Sequence, residues 1–199
     1  MTPLRIVRWI AWLAVFAVGL AIVWVVVGDK RPGIPAIATA TIGGPFSLTD
    51  QTGATVTEAA LQGHPSALFF GYTFCPDVCP TTLSDMTVWL SQLGPAADKL
   101  KVYFVTVDPE RDTREQMASY LQAFDPRIVG LTGPRPAIDQ MLKGFRIYSR
   151  KVGSGDTYTM DHTASVYLLD PEGHFSGTVD YQEKPEVALA KLKRLAGAT

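Results

Sequence analysis

The sequence predicts an α/β domain of three layers behind an N-terminal membrane helix. Three observations predict it: continuous apolar runs at 66–72 and 102–107, helical periodicity between and after them, and an uncharged segment from Trp9 to Gly28. A chain of 199 residues, 47% hydrophobic, carries enough apolar side chain for one domain with a core. Its formal net charge of -1 argues against nucleic acid as a partner.

A stretch of about 20 apolar residues spans the hydrocarbon core of a bilayer as a helix. Trp9, Trp12 and Trp24 lie towards the ends of the uncharged segment, where amphipathic rings favour the interface. Residues 1–28 therefore read as an uncleaved anchor. The rival reading, a cleaved signal peptide, has a shorter apolar run, and Ala38-Thr39-Ala40 lies well past this one. Arg5 and Arg8 before the span balance Lys30 and Arg31 after it; the orientation adopted puts the N-terminus in the cytoplasm and the domain outside. An outside domain meets an oxidising compartment. Residues 29–44, rich in Gly, Pro, Ala and Thr without an apolar period, read as a linker, and 45–199 as the folded domain.

That domain opens with a hairpin, 46–48 and 54–56, around Asp50 to Gly53. Residues 66–72 form a strand buried on both faces. Residues 80–93 put Leu83, Met86, Leu90 and Leu93 on one helical face, with Gly94-Pro95 as the stop. Residues 102–107 are a second buried strand. Asp112 and Glu115 mark a capping box for the next helix, whose stripe is Met117, Tyr120, Leu121 and Phe124 and which Asp125-Pro126 ends. A strand at 128–132, a helix carrying Ile138, Met141, Leu142 and Phe145, and a short strand at 147–152 follow. The segments 165–169 and 175–179 flank Asp170-Pro171-Glu172-Gly173, a type I turn sequence, and so form an antiparallel hairpin. A last helix begins near Pro185. The alternation followed by a hairpin and a helix fits a thioredoxin-like sheet.

The only cysteines in the chain are Cys75 and Cys79, in Cys75-Pro76-Asp77-Val78-Cys79. Two thiolates this close bind one soft metal ion or close a small disulfide. Pro80 favours the first helical position, with Cys79 at the cap, where the positive end of the helix stabilises a thiolate. The pair then sits at the carboxyl edge of a parallel strand, where open α/β sheets bind ligands. Asp108 ends the next strand and reaches the same edge if the two strands are parallel neighbours. His162 reaches it if the strand after it runs antiparallel. Two thiolates and one imidazole suit copper; the absence of a third cysteine weakens structural zinc, which takes four ligands.

Plainer readings stand beside these. A Cys75–Cys79 disulfide would close a tiny loop and add little stability. A lone His162 reads as a satisfied polar residue, and Asp108 before Pro109 as turn chemistry. Met160 reads as strand packing rather than a soft ligand, and Phe70, Tyr72 and Phe74 as core.

The stretch Gly71-Tyr72-Thr73-Phe74-Cys75-Pro76-Asp77-Val78-Cys79-Pro80 resembles the signature of the Sco/SenC proteins. Val107-Asp108-Pro109-Glu110-Arg111-Asp112-Thr113 and Asp161-His162-Thr163-Ala164-Ser165-Val166-Tyr167-Leu168 agree with it, and the resemblance covers about 45–199 plus the single anchor. It implies a thioredoxin-like domain facing the periplasm or the mitochondrial intermembrane space. It implies copper, as Cu(I) or Cu(II), on Cys75, Cys79 and His162, with Asp108 near the metal, and a role in building the CuA centre of cytochrome c oxidase subunit II. Other copper chaperones and thiol reductants are expected partners. The expected function is a copper chaperone; the alternative is a thiol–disulfide oxidoreductase that keeps the CuA cysteines reduced through the Cys75/Cys79 pair. A sensor would need an output partner, and Thr73-Phe74-Cys75 is one residue short of the T-x-x-C of peroxiredoxins.

Overall fold

The computed structural model describes the backbone of residues 3–28 and 42–198. The chain divides into two compact units, Met1–Ala40 and Thr41–Thr199. The first holds one helix, α1 (Pro3–Gly28). Its described side chains, among them Trp9, Trp12, Phe16, Leu20 and Trp24, are exposed. Among the described residues no helix is long and apolar enough to cross a membrane. The side chains at 3–8, 22–23 and 25–28 fall outside them, so the anchor rests on the sequence. Most of the predicted linker, 29–41, also lies outside the described residues.

The second unit is built on a seven-stranded sheet, order β2-β1-β5-β4-β3-β8-β9. Its strands are β1 (Ser47–Asp50), β2 (Thr55–Thr57), β3 (Ser66–Gly71), β4 (Lys101–Thr106), β5 (Ile128–Thr132), β8 (Val166–Leu169) and β9 (Phe175–Val179). β3, β4 and β5 run parallel, in register Phe69↔Phe104 and Phe104↔Gly130. β8 runs antiparallel to β3, pairing Phe69 with Val166. The conditions that bring Asp108 and His162 to one edge with the cysteines are therefore met.

Alternation along β3 separates the layers, because successive side chains point to opposite faces. Phe70 meets Phe145 of helix α4 (Arg135–Phe145), ring centroids 5.6 Å apart. Phe69 faces the other way and stacks on Phe104 at 5.9 Å. Phe104 in turn meets Tyr120 of helix α3 (Arg114–Leu121). Cys79 of helix α2 (Val78–Leu93) packs over Gly71, on the Phe69 face, and α5 (Pro185–Leu195) packs beside α2. Helices thus cover both faces of the sheet, the three layers the sequence predicts. Right-handed crossovers that step in one direction, β3 to β4 to β5, place α2 and α3 on the same face.

Three local expectations give way to tertiary context. α2 begins at Val78, so Cys79 lies inside its first turn rather than at the cap, and Pro80 follows it there. The first four amides of a helix lack intrahelical partners, so proline is tolerated through that turn. Asp112 does not cap α3; Thr113 does, accepting from the Gln116 amide at 3.2 Å, and Asp112 turns into the core. Phe74 is 49% exposed rather than core. One strand has no counterpart in the sequence reading: β7 (Thr159–His162), which pairs with β6 (Ser149–Val152) in a separate two-stranded sheet.

Candidate metal centre

One sulfur of each cysteine and one ring nitrogen of His162 lie within 4.8 Å of one another. Cys75 sits on the loop after β3 and is half-buried; Cys79, in the first turn of α2, is fully buried; both are free thiols. His162 closes β7, and its register partner is Ser149 at the start of β6. Met160 is buried in the strand, as packing predicts.

The imidazole is fixed from both sides. Its Nδ1 lies 2.9 Å from the Thr163 carbonyl, which can only accept, so Nδ1 carries the proton. Nε2 then offers its lone pair to the sulfurs, 3.5 Å from Cys79 Sγ. Phe69 and Tyr72 meet the ring edge-on, at 6.2 and 5.8 Å. A backbone acceptor on the far nitrogen is the arrangement that orients a ligating histidine.

The two sulfurs differ electrostatically. The hydrogen bond from the Cys79 thiol, with further ones from the amides of Asp77 and Cys79, holds the Cys75 thiol down to about 3 against the opposing effect of burial. The Cys79 amide lies 3.5 Å from the Cys75 sulfur, so the open N-terminus of α2 faces the anion. Cys79 is pushed up, first by its hydrogen bond to Cys75 and then by burial and the neighbouring negative charge. In the metal-free pair, one thiolate accepts from one thiol.

Asp108 reaches this edge fully buried, but both its carboxylate oxygens are taken by other partners. It accepts from Tyr158 Oη at 2.7 Å and from Arg111 Nε at 2.6 Å. Asp112 is the residue that sequence reasoning mistook for a cap. Its carboxylate accepts from the Thr73 amide at 3.1 and 3.2 Å, from the Thr73 hydroxyl at 2.7 Å and from the Thr106 hydroxyl at 2.6 Å. It thereby ties the cysteine loop to the end of β4. The signal available was a buried-strand terminus followed by two aspartates, Asp108 and Asp112, with only one of them explained by a turn.

Residues 35–197 match the SCO1/SenC family. The chain is 38% identical over 155 residues to the mitochondrial SCO1 homolog of Homo sapiens, covering 74% of this chain and 50% of that protein. It spans about half the length of the curated relatives it matches. Among solved structures, copper-bound ScoI of Bradyrhizobium japonicum superposes with a TM-score of 0.73 at 48% identity, over 77% of this chain and 99% of that one. BsSco, described as having a disulfide switch and as a member of the Sco family of cytochrome c oxidase assembly proteins, shares the fold at 23% identity. Its TM-score is 0.63, over 80% of this chain and 95% of that one. The match over 35–197 takes in Cys75, Cys79, His162 and both buried aspartates, and this chain belongs to the SCO1/SenC family.

Proposed function

We propose that this protein is a membrane-tethered copper chaperone that delivers copper to the CuA site of cytochrome c oxidase subunit II. The observation that carries the reading is the convergence of two sulfurs and one correctly protonated imidazole within 4.8 Å. Two soft donors and one imidazole match Cu(I), and the same set accepts Cu(II). The copper-bound ScoI relative supports the metal.

In this reading Cys75, Cys79 and His162 hold the ion, and Asp108 keeps the surrounding shell in place. Residues 1–28 anchor the chain in the inner membrane, 29–44 space the domain from it, and 45–199 face the periplasm or the intermembrane space. The tether confines donor and acceptor to one membrane and raises their effective concentration. Cargo leaves by exchange between soft ligands on two proteins. Cys75, half-buried, is the ligand open to the acceptor, while Cys79 is sealed.

The test is an anaerobic Cu(I) titration of the reduced full chain in detergent against a competing chelator, with His162→Ala beside the wild type. Tight one-to-one binding that His162→Ala weakens about 10- to 100-fold supports a three-ligand site. Binding indifferent to His162 sinks it.

A second reading is favoured by the split between the sulfurs. The Cys75 thiolate attacks a disulfide on a target, releasing one target thiolate and forming a mixed disulfide. Cys79 then gives up its proton and displaces the second target thiolate, leaving a Cys75–Cys79 disulfide and a reduced target. Rapid reduction of a model disulfide, unchanged by His162→Ala, would move the weight to this reaction.

A further inference from the structure

Arg111 follows β4 in a turn closed by its amide on the Asp108 carbonyl at 3.2 Å. Its side chain is 17% exposed, and its guanidinium meets three segments of the chain. Nε donates to Asp108 Oδ2 at 2.6 Å and Nη1 to the Tyr158 carbonyl at 3.0 Å. Its Cζ stands 3.6 Å from the centre of the Tyr158 ring and 4.8 Å from that of Phe74. Nη2 is buried with no hydrogen-bond partner among the described residues.

Burying this group is costly, since an unmet donor loses its hydration and an ion pair removed from water repays that loss only with good geometry. What the arrangement fixes is Tyr158. Its carbonyl accepts from Nη1, its ring carries the guanidinium on one side, and its hydroxyl donates to Asp108 Oδ1 at 2.7 Å. The Lys151 ammonium also lies against the ring, at 3.6 Å. Tyr158 leads directly into β7, and β7 ends on His162. Pairing of β7 with β6 makes the segment one stiff unit, so a hold on Tyr158 is a hold on the imidazole. At the other end, Phe74 is the neighbour of Cys75.

We propose that Arg111 is a positioning residue that clamps the β6–β7 hairpin through Tyr158 and thereby sets His162 against the cysteine pair. Its partners are Asp108, Tyr158, Phe74 and, at 5.7 Å, the Tyr72 ring, none of them one of the three proposed ligands, and the hairpin is the route that carries its hydrogen bonds. The copper arm of the test rests on the proposed copper site; the metal-free arm does not.

The experiment uses the full chain in detergent and compares wild type, Arg111→Lys, His162→Ala and the double variant. Lysine keeps the charge but loses the planar fork and the stack on Tyr158. In the metal-free reduced protein, Arg111→Lys should speed amide hydrogen exchange across 149–162 by about tenfold, leaving β3 and β4 unchanged. Cu(I) affinity should fall by about tenfold in the wild-type background. In the His162→Ala background the further loss should stay within about twofold, because the coupled partner is gone. An unchanged hairpin, or an equal loss of affinity in both backgrounds, overturns the clamp. If the wild type fails to bind Cu(I), the copper reading falls while hydrogen exchange still decides the clamp. Should Arg111→Lys not fold, Arg111→Gln keeps a polar side chain but loses the charge and the fork that hold the Tyr158 carbonyl and ring, and should raise hairpin exchange by about threefold; no change would overturn the proposal.

Discussion

The Cys79 sulfur lies over Gly71 so closely that a Cβ there would come within 2.6 Å of it and 2.8 Å of the Phe104 ring. Strand, helix and metal site meet at this contact, and only a residue without a side chain leaves room for it. Gly71→Ala must move either the sulfur or the ring. Overpacking of this kind costs about 1–3 kcal/mol. Thermal unfolding should report that loss, and Cu(I) affinity should fall with it. Full retention of both would mean that the backbone of β3 yields more easily than a paired central strand should.

The contrast between the two thiols gives a chemical signature. With Cys75 held near 3, its thiolate is fully formed at neutral pH. Alkylation of the reduced, metal-free protein should therefore modify Cys75 first, at a rate flat from about pH 5 to about pH 8, where an ordinary thiol near 8.5 accelerates steeply. Cys79 should stay protected. Because the Cys79 hydrogen bond is the largest cause of the depression, Cys79→Ala should move the Cys75 midpoint upward. A Cys75 rate in the wild type that climbs tenfold per pH unit through neutrality would refute this account.

Much of the site was legible in the sequence, for a physical reason. Buried parallel strands read as apolar runs, and the cysteines follow such a run directly, so their place at the sheet edge came from local pattern. Asp108 and His162 needed only strand directions, which the alternation of elements supplies. What escaped was set by pairing between distant residues. β7 is short and draws its stability from β6, although Tyr158 and Met160 buried and Thr159 and Asp161 exposed show period two. Asp112 and Glu115 satisfy a capping pattern, but Thr73 and Thr106 offer Asp112 donors that outweigh it. Phe74 lies in the open because the Arg111 guanidinium gives its ring a partner outside the core.

The anchor is tested by fractionation. The full chain should remain with membranes after alkaline carbonate extraction, whereas a chain starting at Ile42 should be released. In intact cells, a membrane-impermeant maleimide should label Cys75 if the domain lies outside the cytoplasmic membrane. Labelling only after lysis would reverse the orientation.

Asp112 makes the last prediction, and its sign follows from burial. Burial raises its carboxyl above the ordinary value despite the Thr73 and Thr106 hydrogen bonds that pull the other way. A carboxyl raised in the folded state favours folding most when protonated in both states. That contribution is present below the unfolded value of about 3.9 and is lost as pH rises through the folded one. Asp112→Asn cannot titrate, so the stability difference between wild type and variant should shrink as pH climbs through this window. The variant should still be less stable, by about 1–3 kcal/mol, because the Thr73 amide and two hydroxyls lose an acceptor oxygen and meet a donor. Denaturant unfolding of both proteins from about pH 4 to about pH 7 checks this. A difference that widens with pH would mean that Asp112 is stabilised as the anion, its four hydrogen bonds outweighing burial.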